Sequence, residues 1–469
     1  MLFSFGTALC ALGTASALVI SERGVETRDV SGTAHVYLKE SNGPSQHYAS
    51  GYIYGIPDTP NQIPDHFYSD IAFQYTRAGG AQTPESKGWI GGQDDYTFRW
   101  ESTLSNYRTA RQQGGQFILL VHDLWGADSL QSEDAPFPGD NDDWSFYDEF
   151  LSALISDIKD NDLIDGVTID IWNEPDGRNF WDREQDQYLL MWGRATARFK
   201  SELPNLALSG PSVSYPPTPD DEWWNNWASY VVSNQSLPEE HHWHSLSKTF
   251  TSTEMLKNYD ALLAKYSATR EGLVNINEYG HPDEQNPSGS AWWIAQLERA
   301  NIFGCRANWA SAYALHDFMA QLLGKPGAGT DDYDPKATGY YPNGEYQVYK
   351  YYASSMVGDR IKTETTMDTN GDVYATVDAE GGVLRLLAGA RTTTGTWSIQ
   401  LEELSALGLP KSGEVGIHTY EFPGSDDPYA RLDEPVDLGT VTHKYSEDSL
   451  TFPIYSENVY DAWAFEIKF

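Results

Sequence analysis

Two glutamates that end short apolar runs are the residues of this sequence best suited to chemistry. Glu174 belongs to the segment Ile-Asp-Ile-Trp-Asn-Glu-Pro-Asp at 169–176, and Glu278 to the segment Val-Asn-Ile-Asn-Glu-Tyr-Gly at 274–280. Both runs are typical of β-strands and are followed by turn-forming residues, so each carboxylate is expected at the rim of a sheet. Two carboxyl groups that meet at such a rim can cleave a glycosidic bond, one as general acid and base and the other as nucleophile.

The surroundings of each glutamate assign its role. Burial beside Trp172 and near a second carboxylate is expected to raise the pKa of Glu174, as a general acid requires. Asn173 can reach the sugar hydroxyl next to the reacting carbon, and Glu278 is then the nucleophile. Glu284 is the rival nucleophile, but it lies in a loop bounded by prolines. For Glu174 the alternative is a structural salt bridge.

A cation and two histidines stand at other predicted strands. Arg77 ends one of them, where a buried guanidinium would hold the nucleophile ionised; a structural ion pair is the alternative. His122 and His244 are each expected either to bind sugar hydroxyls or to be satisfied core histidines. Three histidines lie within 241–244, but no partner ligands recur at metal spacing. Neither a metal nor another cofactor is therefore predicted.

Aromatic residues supply the remaining candidates for substrate binding. Tyr279 follows Glu278 directly and is expected either to donate a hydrogen bond to the nucleophile or the sugar, or to pack in the fold. Fourteen of the 16 tryptophans lie between positions 89 and 309, many of them in predicted strand-to-helix loops. Flat aromatic faces beside polar side chains suit sugar rings, so these loops predict a carbohydrate cleft rather than loop anchors. Trp309 is the candidate platform beneath the reacting sugar.

The elements that must position these residues alternate between strands and helices from about residue 50 to 318. Helical spacing predicts helices at 148–159, 187–199 and 253–266, with a last one at 347–356. Eight short apolar runs predict parallel strands at 51–56, 72–77, 117–122, 167–172, 206–210, 241–246, 274–278 and 307–312. Eight is the number that a closed (β/α)8 barrel requires, and the length of the region fits that α/β fold.

The pattern changes after residue 358. Short strands are predicted at 373–378, 383–388, 396–401 and 462–469, without a helix of useful length, which is typical of a β-sandwich. The early run 34–38 also predicts a strand that can join it. The predicted organisation is therefore a (β/α)8 TIM barrel at 46–357 and an accessory β-sandwich built from 25–45 and 358–469.

The charge and the beginning of the chain bear on partners and location. The formal net charge of −37 argues against nucleic acid and anionic membrane surfaces as partners, because a negative field repels them. Residues 1–17 are small and apolar and end in Ala-Ser-Ala, which predicts a cleaved secretory signal peptide and an extracellular protein. Cys10 lies in that segment, so Cys305 would be the one cysteine of the mature chain and no internal disulfide is expected.

The Trp-Asn-Glu-Pro motif at 172–175, the strand-ending Glu278 and Arg77 together resemble clan A of the glycoside hydrolases. The layout is most similar to glycoside hydrolase family 39, with a barrel, two catalytic glutamates and a β-sandwich formed by both chain ends. Two positions differ from that pattern: Asn277 replaces a small hydroxyl residue, and His-His-Trp-His-Ser at 241–245 replaces a histidine and tyrosine pattern.

The resemblance implies a retaining mechanism through a glycosyl-enzyme intermediate and a carbohydrate substrate of the cell-wall type. A β-xylosidase is the default expectation. An endo-acting glycanase of the same clan is an alternative, and a catalytically inactive carbohydrate-binding protein is another. The intact pair of Glu174 and Glu278 favours an enzyme over the binding protein.

Overall fold

A computed structural model describes residues 32–469 of the chain. The predicted signal peptide at 1–17 and the first residues of the predicted 25–45 segment lie outside the described residues. Within 32–469, every helix is too short or too polar to cross a lipid bilayer.

Strand β1 (Thr33–Pro44) precedes a closed barrel of eight parallel strands. These strands are buried almost throughout, because neighbouring strands and an outer layer of helices cover them. In chain order they are β2 (Gly51–Ile53), β3 (Tyr75–Ala78), β4 (Gln116–Leu120), β5 (Val167–Asp170), β6 (Ala207–Val213), β7 (Glu240–Ser245), β8 (Val274–Tyr279) and β9 (Phe303–Arg306). The predicted TIM barrel is thus confirmed.

The last barrel strand is not where the sequence placed it. The prediction of a strand at 307–312 was wrong, because 303–306 pairs with β8 on one side and β2 on the other and closes the barrel. Residues 307–312 instead leave the barrel rim and begin a long loop. Buried Arg306 ends the true strand, where its guanidinium pairs with Glu345.

The last five helices each begin at a residue whose side chain accepts a hydrogen bond from a backbone N–H of the first turn. In the seventh, Thr251 accepts a hydrogen bond from the backbone N–H of Glu254, and the Glu254 carboxylate bonds back to the cap residue. The helices are α1 (His66–Ser69), α2 (Gln93–Gln112), α3 (Val121–Trp125), α4 (Ser145–Asp160), α5 (Gln185–Glu202), α6 (Glu222–Ser233), α7 (Ser252–Lys265), α8 (Pro287–Ala300), α9 (Phe318–Gln321, one turn with positive φ throughout) and α10 (Gly344–Ser354). Short 3-10 turns cover Gly88–Gly91, Asp140–Asp142, Pro282–Glu284, Ala312–His316 and Leu404–Leu407.

A nine-stranded mixed sheet forms the accessory unit. After the small hairpin of β10 (Leu323–Gly324) and β11 (Tyr341–Pro342), the chain forms β12 (Asp359–Glu364), β13 (Gly371–Asp378), β14 (Val383–Ala390), β15 (Gly395–Glu402), β16 (Gly413–Phe422), β17 (Val436–Tyr445), β18 (Ser449–Ser456) and β19 (Ala462–Lys468). Their order is β17-β16-β19-β14-β13-β12-β1-β15-β18, so β1 is an interior strand of this sheet. The sheet curls around its own apolar core, as expected of the predicted sandwich. Helix α8 of the barrel packs against β13 and β14.

Candidate active site

The two candidate catalytic glutamates lie side by side at the carboxyl end of the barrel. One carboxylate oxygen of Glu174 and one of Glu278 are within 4.8 Å of each other. Both side chains line a cavity of about 470 Å³ and remain 19% and 13% exposed, respectively. A sugar in this cavity can therefore reach both carboxyl groups at once.

Local backbone features aim these two side chains. Strand β5 ends at Asp170, four residues before Glu174, and Glu174 itself has a positive φ of 39° while its N–H donates to the Ser212 carbonyl. In β8 a bulge lies at Asn277, because Ile276 pairs with β7 and the next paired residue is Glu278. A bulge changes the direction in which side chains point, so the consecutive residues Asn277 and Glu278 can both bond to groups inside the barrel.

Arg77 holds the floor of the cavity together. Its Nη1 donates to Glu278 Oε1 at 2.6 Å, its Nη2 to Asn173 Oδ1 at 2.8 Å and its Nε to Asp170 Oδ2 at 3.0 Å. The guanidinium is buried and donates hydrogen bonds from all three of its nitrogens, so it fixes the orientation of Glu278 and favours the ionised carboxylate. Asn173 is at the cavity wall with its amide carbonyl committed to this contact.

Asp170 is a positioning residue that sequence reasoning missed. Its Oδ2 accepts hydrogen bonds from Arg77, from Ser212 Oγ at 2.8 Å and from Asn277 Nδ2 at 2.9 Å. A charged residue inside an otherwise apolar strand was the available signal, since a buried carboxylate requires partners. Asn277, which departs from the family pattern, thus serves to hold Asp170 and Ser212.

His244 lies between the two glutamates and is hydrogen-bonded to one of them. Its Nδ1 is hydrogen-bonded to Glu174 Oε1 at 2.8 Å, and its Nε2 lies 3.6 Å from Glu278 Oε1. Burial lowers the pKa of His244 to about 4, so the ring is neutral near pH 7. The expectation that His244 binds sugar hydroxyls was wrong, because the ring is fully enclosed and lies behind the two carboxylates rather than at the cavity wall.

Burial acts in the same direction on the pKa of both glutamates. It raises the pKa of Glu174 to about 7, with the nearby charge of Asp176 adding to the shift. Burial also raises the pKa of Glu278, but the positive charge of Arg77 opposes that shift and Arg77 donates a hydrogen bond to its carboxylate. Glu278 accepts a hydrogen bond from a guanidinium and Glu174 does not, so the ionised form is favoured more at Glu278.

His122 lies at the cavity wall, at the start of α3 rather than at the end of β4. Its Nε2 is 2.8 Å from Asp123 Oδ1, and its Nδ1 has no hydrogen-bond partner among residues 32–469. Asp123 in turn accepts a hydrogen bond from Tyr54, which sequence reasoning also missed. All three residues line the cavity, but the His122 ring is 1% exposed and its unpartnered Nδ1 is enclosed, so the binding of sugar hydroxyls by His122 stays a prediction.

Tyr279 does not face the cavity, and the prediction that it binds the nucleophile or the substrate was wrong. Its hydroxyl is 2.7 Å from the Tyr349 hydroxyl and donates to the Ala49 carbonyl at 2.8 Å, and its ring packs on Trp293. Tyr279 therefore joins the barrel wall to α8 and α10, which is the packing role left open in the sequence.

The tryptophans of the loops divide sharply between packing and binding. Trp309 lines the cavity and is 48% exposed, so it remains the candidate sugar platform, although it belongs to the loop after β9. The broader prediction of a tryptophan-lined cleft was wrong, because most of these side chains are buried and many belong to helices rather than to loops. The buried ones include Trp125, Trp181, Trp224, Trp227, Trp292 and Trp293.

Glu284, the rival nucleophile, is enclosed away from the cavity. It pairs with Arg391, and its Oε2 accepts hydrogen bonds from Trp293 Nε1 at 3.1 Å and from the backbone N–H of His281 at 3.0 Å. No substrate can reach a carboxylate with these contacts, so Glu278 is the better placed nucleophile.

Glu174, His244 and Glu278 also form a set whose donor atoms lie within 4.8 Å of one another, as a bound divalent cation would require. Two features oppose a cation there: Arg77 already bonds to Glu278, and the nearer nitrogen of His244 bonds to Glu174.

Comparison with known proteins bears on the fold. No family model matches the sequence, and no curated protein matches it. Among solved structures, N2152 from Neocallimastix frontalis aligns with a TM-score of 0.72 at 18% identity, over 93% of this chain and 99% of that chain. A monomeric β-xylosidase from Caulobacter crescentus CB15 aligns with 0.54 at 14% identity, over 93% and 99% of the two chains. A GH39 enzyme from Xanthomonas axonopodis pv. citri aligns with 0.54 at 11% identity, over 96% and 100%.

The matches span nearly the whole of each chain, so they include both the barrel and the β-sheet unit. The chain therefore has the fold of these proteins, and the resemblance to glycoside hydrolase family 39 noted in the sequence is confirmed at the level of the fold.

Proposed function

We propose that this protein is a secreted, retaining glycoside hydrolase that acts on neutral sugars of cell-wall polysaccharides or their oligosaccharides. The observation that carries the proposal is the pair of carboxyl groups in the cavity, with oxygens within 4.8 Å of each other. Retaining enzymes hold their two carboxyl groups about 5–5.5 Å apart, whereas inverting enzymes need about 6.5–9.5 Å to admit a water. The short separation supports retention.

In the first step, Glu278 attacks the anomeric carbon while the glycosidic C–O bond breaks. Glu174 gives its proton to the departing oxygen, so the leaving group departs as a neutral alcohol and Glu278 becomes a glycosyl ester. The pKa of about 7 supplies the proton on Glu174 at mildly acidic and neutral pH. The hydrogen bond from Arg77 directs the charge and orientation of the nucleophile before attack.

In the second step, ionised Glu174 takes a proton from water, and the water oxygen attacks the anomeric carbon. The ester C–O bond breaks and Glu278 returns as a carboxylate, so two inversions leave the anomeric configuration unchanged. His244 remains bonded to Glu174 and keeps its carboxyl group pointed at the same place in both steps.

The charges around the cavity support a neutral substrate. Among the described residues that line it, Arg77 is the single Lys or Arg, and its guanidinium is already bonded to three protein groups. The carboxyl groups of Glu174, Glu278, Asp123 and Asp128 face or flank the same space. The carboxylate of a uronic acid would enter this region without a free cation to bind it, which costs free energy.

The test is hydrolysis of aryl glycosides and wall polysaccharides by the protein, beginning with β-xylosides because a β-xylosidase shares the fold. Proton NMR of the first-formed product distinguishes retention from inversion. We expect turnover of at least one neutral glycoside with retention and none of the matched uronides. A first product of inverted configuration would refute the mechanism, and binding of oligosaccharides without turnover on any substrate would favour the inactive carbohydrate-binding protein.

A further inference from the structure

A turn of the accessory β-sheet reaches the catalytic end of the barrel. Arg391 follows β14 directly, and its guanidinium makes contacts in two directions across the boundary between the sheet and the barrel. Nε pairs with the buried carboxylate of Glu284, and Nη2 donates to the Ser247 carbonyl at 3.0 Å. The guanidinium also lies 4.3 Å from the ring centre of Trp292 in α8.

Both targets belong to loops that carry the candidate active site. Ser247 is three residues after His244, in the loop that follows β7, and this loop also contributes Leu246 to the cavity wall. Glu284 is six residues after Glu278, in the 3-10 turn that follows β8. A single side chain from the β-sheet unit thus contacts both the loop that follows His244 and the turn that follows Glu278.

Further contacts restrict the same region. Lys248 Nζ donates to Thr392 Oγ1 at 2.6 Å, beside the Arg391 contact with Ser247. The Ser288 hydroxyl, at the start of α8, donates to the Ala390 carbonyl and accepts from the Ala390 N–H. Arg391 belongs to the β-sheet unit and Glu284 to the barrel, and both side chains are buried. Their ion pair therefore forms only when the two units are packed together.

We propose that the turn at 390–392 is a positioning element for catalysis, with Arg391 setting where the loops after β7 and β8 hold His244 and Glu278. The carboxyl groups of a retaining site must be held within a fraction of an ångström of the productive geometry. The β-sheet unit would then act on turnover without touching the substrate. The kinetic part of this inference rests on the proposed function.

Arg391→Lys is the informative variant because it keeps the positive charge but cannot make both contacts at once. Arg360→Lys is the matched control. Arg360 is also buried and also joins the sheet to α8, through the Glu298 carboxylate and the Asn301 side chain, at the far end of the same helix. Both variants lose a buried arginine fork at the same boundary, so both are expected to lower the melting temperature.

The first readout is amide hydrogen exchange measured by mass spectrometry on the full-length protein, which does not depend on any activity. In Arg391→Lys we expect exchange in 246–251 and 280–286 to rise at least about tenfold, from local loosening of these loops. In Arg360→Lys those segments keep their wild-type rates. Equal loosening of these loops in both variants, or in neither, would overturn the proposal.

The second readout is kinetic. Arg391→Lys should lower kcat about tenfold or more with a much smaller change in KM, because displaced catalytic groups bind substrate but react slowly. Arg360→Lys should leave kcat within about twofold of the wild-type value. An unchanged kcat in Arg391→Lys would overturn the positioning role. Absence of glycosidase activity in the wild-type protein would instead refute the proposed function, while hydrogen exchange would still decide whether Arg391 holds the loops.

Discussion

The cavity floor and the boundary between the two units each contain a glutamate held by a buried arginine, yet only one of the two can do chemistry. Glu278 bonds to Arg77 and remains 13% exposed, whereas Glu284 bonds to Arg391 and is 0% exposed. The two glutamates are six residues apart. Glu278 lies near the end of β8, and Glu284 lies in the 3-10 turn that follows this strand. An ion pair with arginine therefore does not by itself distinguish a carboxylate that is open to the cavity from one that is enclosed.

The two carboxylates differ in the groups that surround them on the side away from the arginine. At Glu284 the second oxygen accepts bonds from Trp293 and His281, so every direction is occupied by protein. At Glu278 the neighbours in the remaining directions are His244, Glu174 and the open cavity. A carboxylate that is fully satisfied stabilises the fold, while one held on a single side is available to a substrate.

The strongest test of this distinction is to replace each glutamate by glutamine. Glu278→Gln removes the proposed nucleophile but keeps the shape of the side chain, and we expect turnover to fall by at least about 10⁴-fold, because the covalent step would be lost. Glu284→Gln should lower the melting temperature and reduce kcat by about tenfold or less. Steady-state kinetics on one substrate and thermal unfolding of both variants provide the measurements. Near-full activity in Glu278→Gln would reverse the assignment.

A second test separates the two carboxyl groups within the cavity. Glu174→Gln removes the proposed general acid, and we expect the rate on an unactivated disaccharide to fall about 10²–10⁴-fold. The first step on an aryl glycoside with a strongly acidic phenol should be affected far less, because that leaving group departs without a proton. Rates measured across a series of phenols should therefore depend more steeply on the phenol pKa in the variant. A loss that is the same for every leaving group would contradict the acid role.

The sequence alone predicted the barrel and both glutamates because their physical signals are local. A β-branched run that stops at a carboxylate and a turn former indicates a strand end, and parallel strands bring such ends to one rim. Glu174 and Glu278 could be identified in this way from residues 169–176 and 274–280. Helices with regular apolar spacing, such as α4, were predictable for the same reason.

The rest depended on contacts between distant residues. The ninth strand, Phe303–Arg306, is short and contains a glycine and an arginine, and only its pairing with β2 and β8 and the Arg306–Glu345 ion pair make it a strand. The direction of Tyr279 follows from a bulge in β8 that no local pattern indicates, and the place of His244 between the two glutamates follows from the pairing of β7 with that strand. The Asp170 network likewise becomes visible only when β3, β5, β6 and β8 are brought together.

A third prediction concerns how the free energy of unfolding depends on pH, because the ionised form of Glu174 is a partly buried charge. The pKa of Glu174 is about 7 in the folded protein against about 4.5 when it is unfolded and exposed. The folded protein therefore retains a proton that the unfolded chain loses, and stability falls as the pH rises from about 4.5 to 7. Glu174→Gln removes this penalty and should gain up to about 3 kcal/mol above pH 7, with no gain below pH 4.5.

Chemical denaturation of wild type and Glu174→Gln at several pH values measures this difference directly. Glu284→Gln serves as the comparison, because its enclosed ion pair should make that variant less stable than wild type at pH 7. A constant difference between Glu174→Gln and wild type across the pH range would show that the Glu174 pKa is not raised.

The same distinction, between a side chain open to the cavity and one enclosed by protein, applies to two tryptophans and gives the smallest expected effect. Trp309 is 48% exposed at the cavity, while Trp293 is buried and its indole N–H is bonded to Glu284. Trp309→Ala should raise KM about tenfold, equivalent to about 1.4 kcal/mol, and leave the melting temperature unchanged. Trp293→Ala should cost about 3–5 kcal/mol of stability through the cavity that it leaves. If Trp309→Ala left KM unchanged for every oligosaccharide tested, this side chain would be an exposed aromatic without a platform role, and the binding contacts would have to come from His122 and its neighbours.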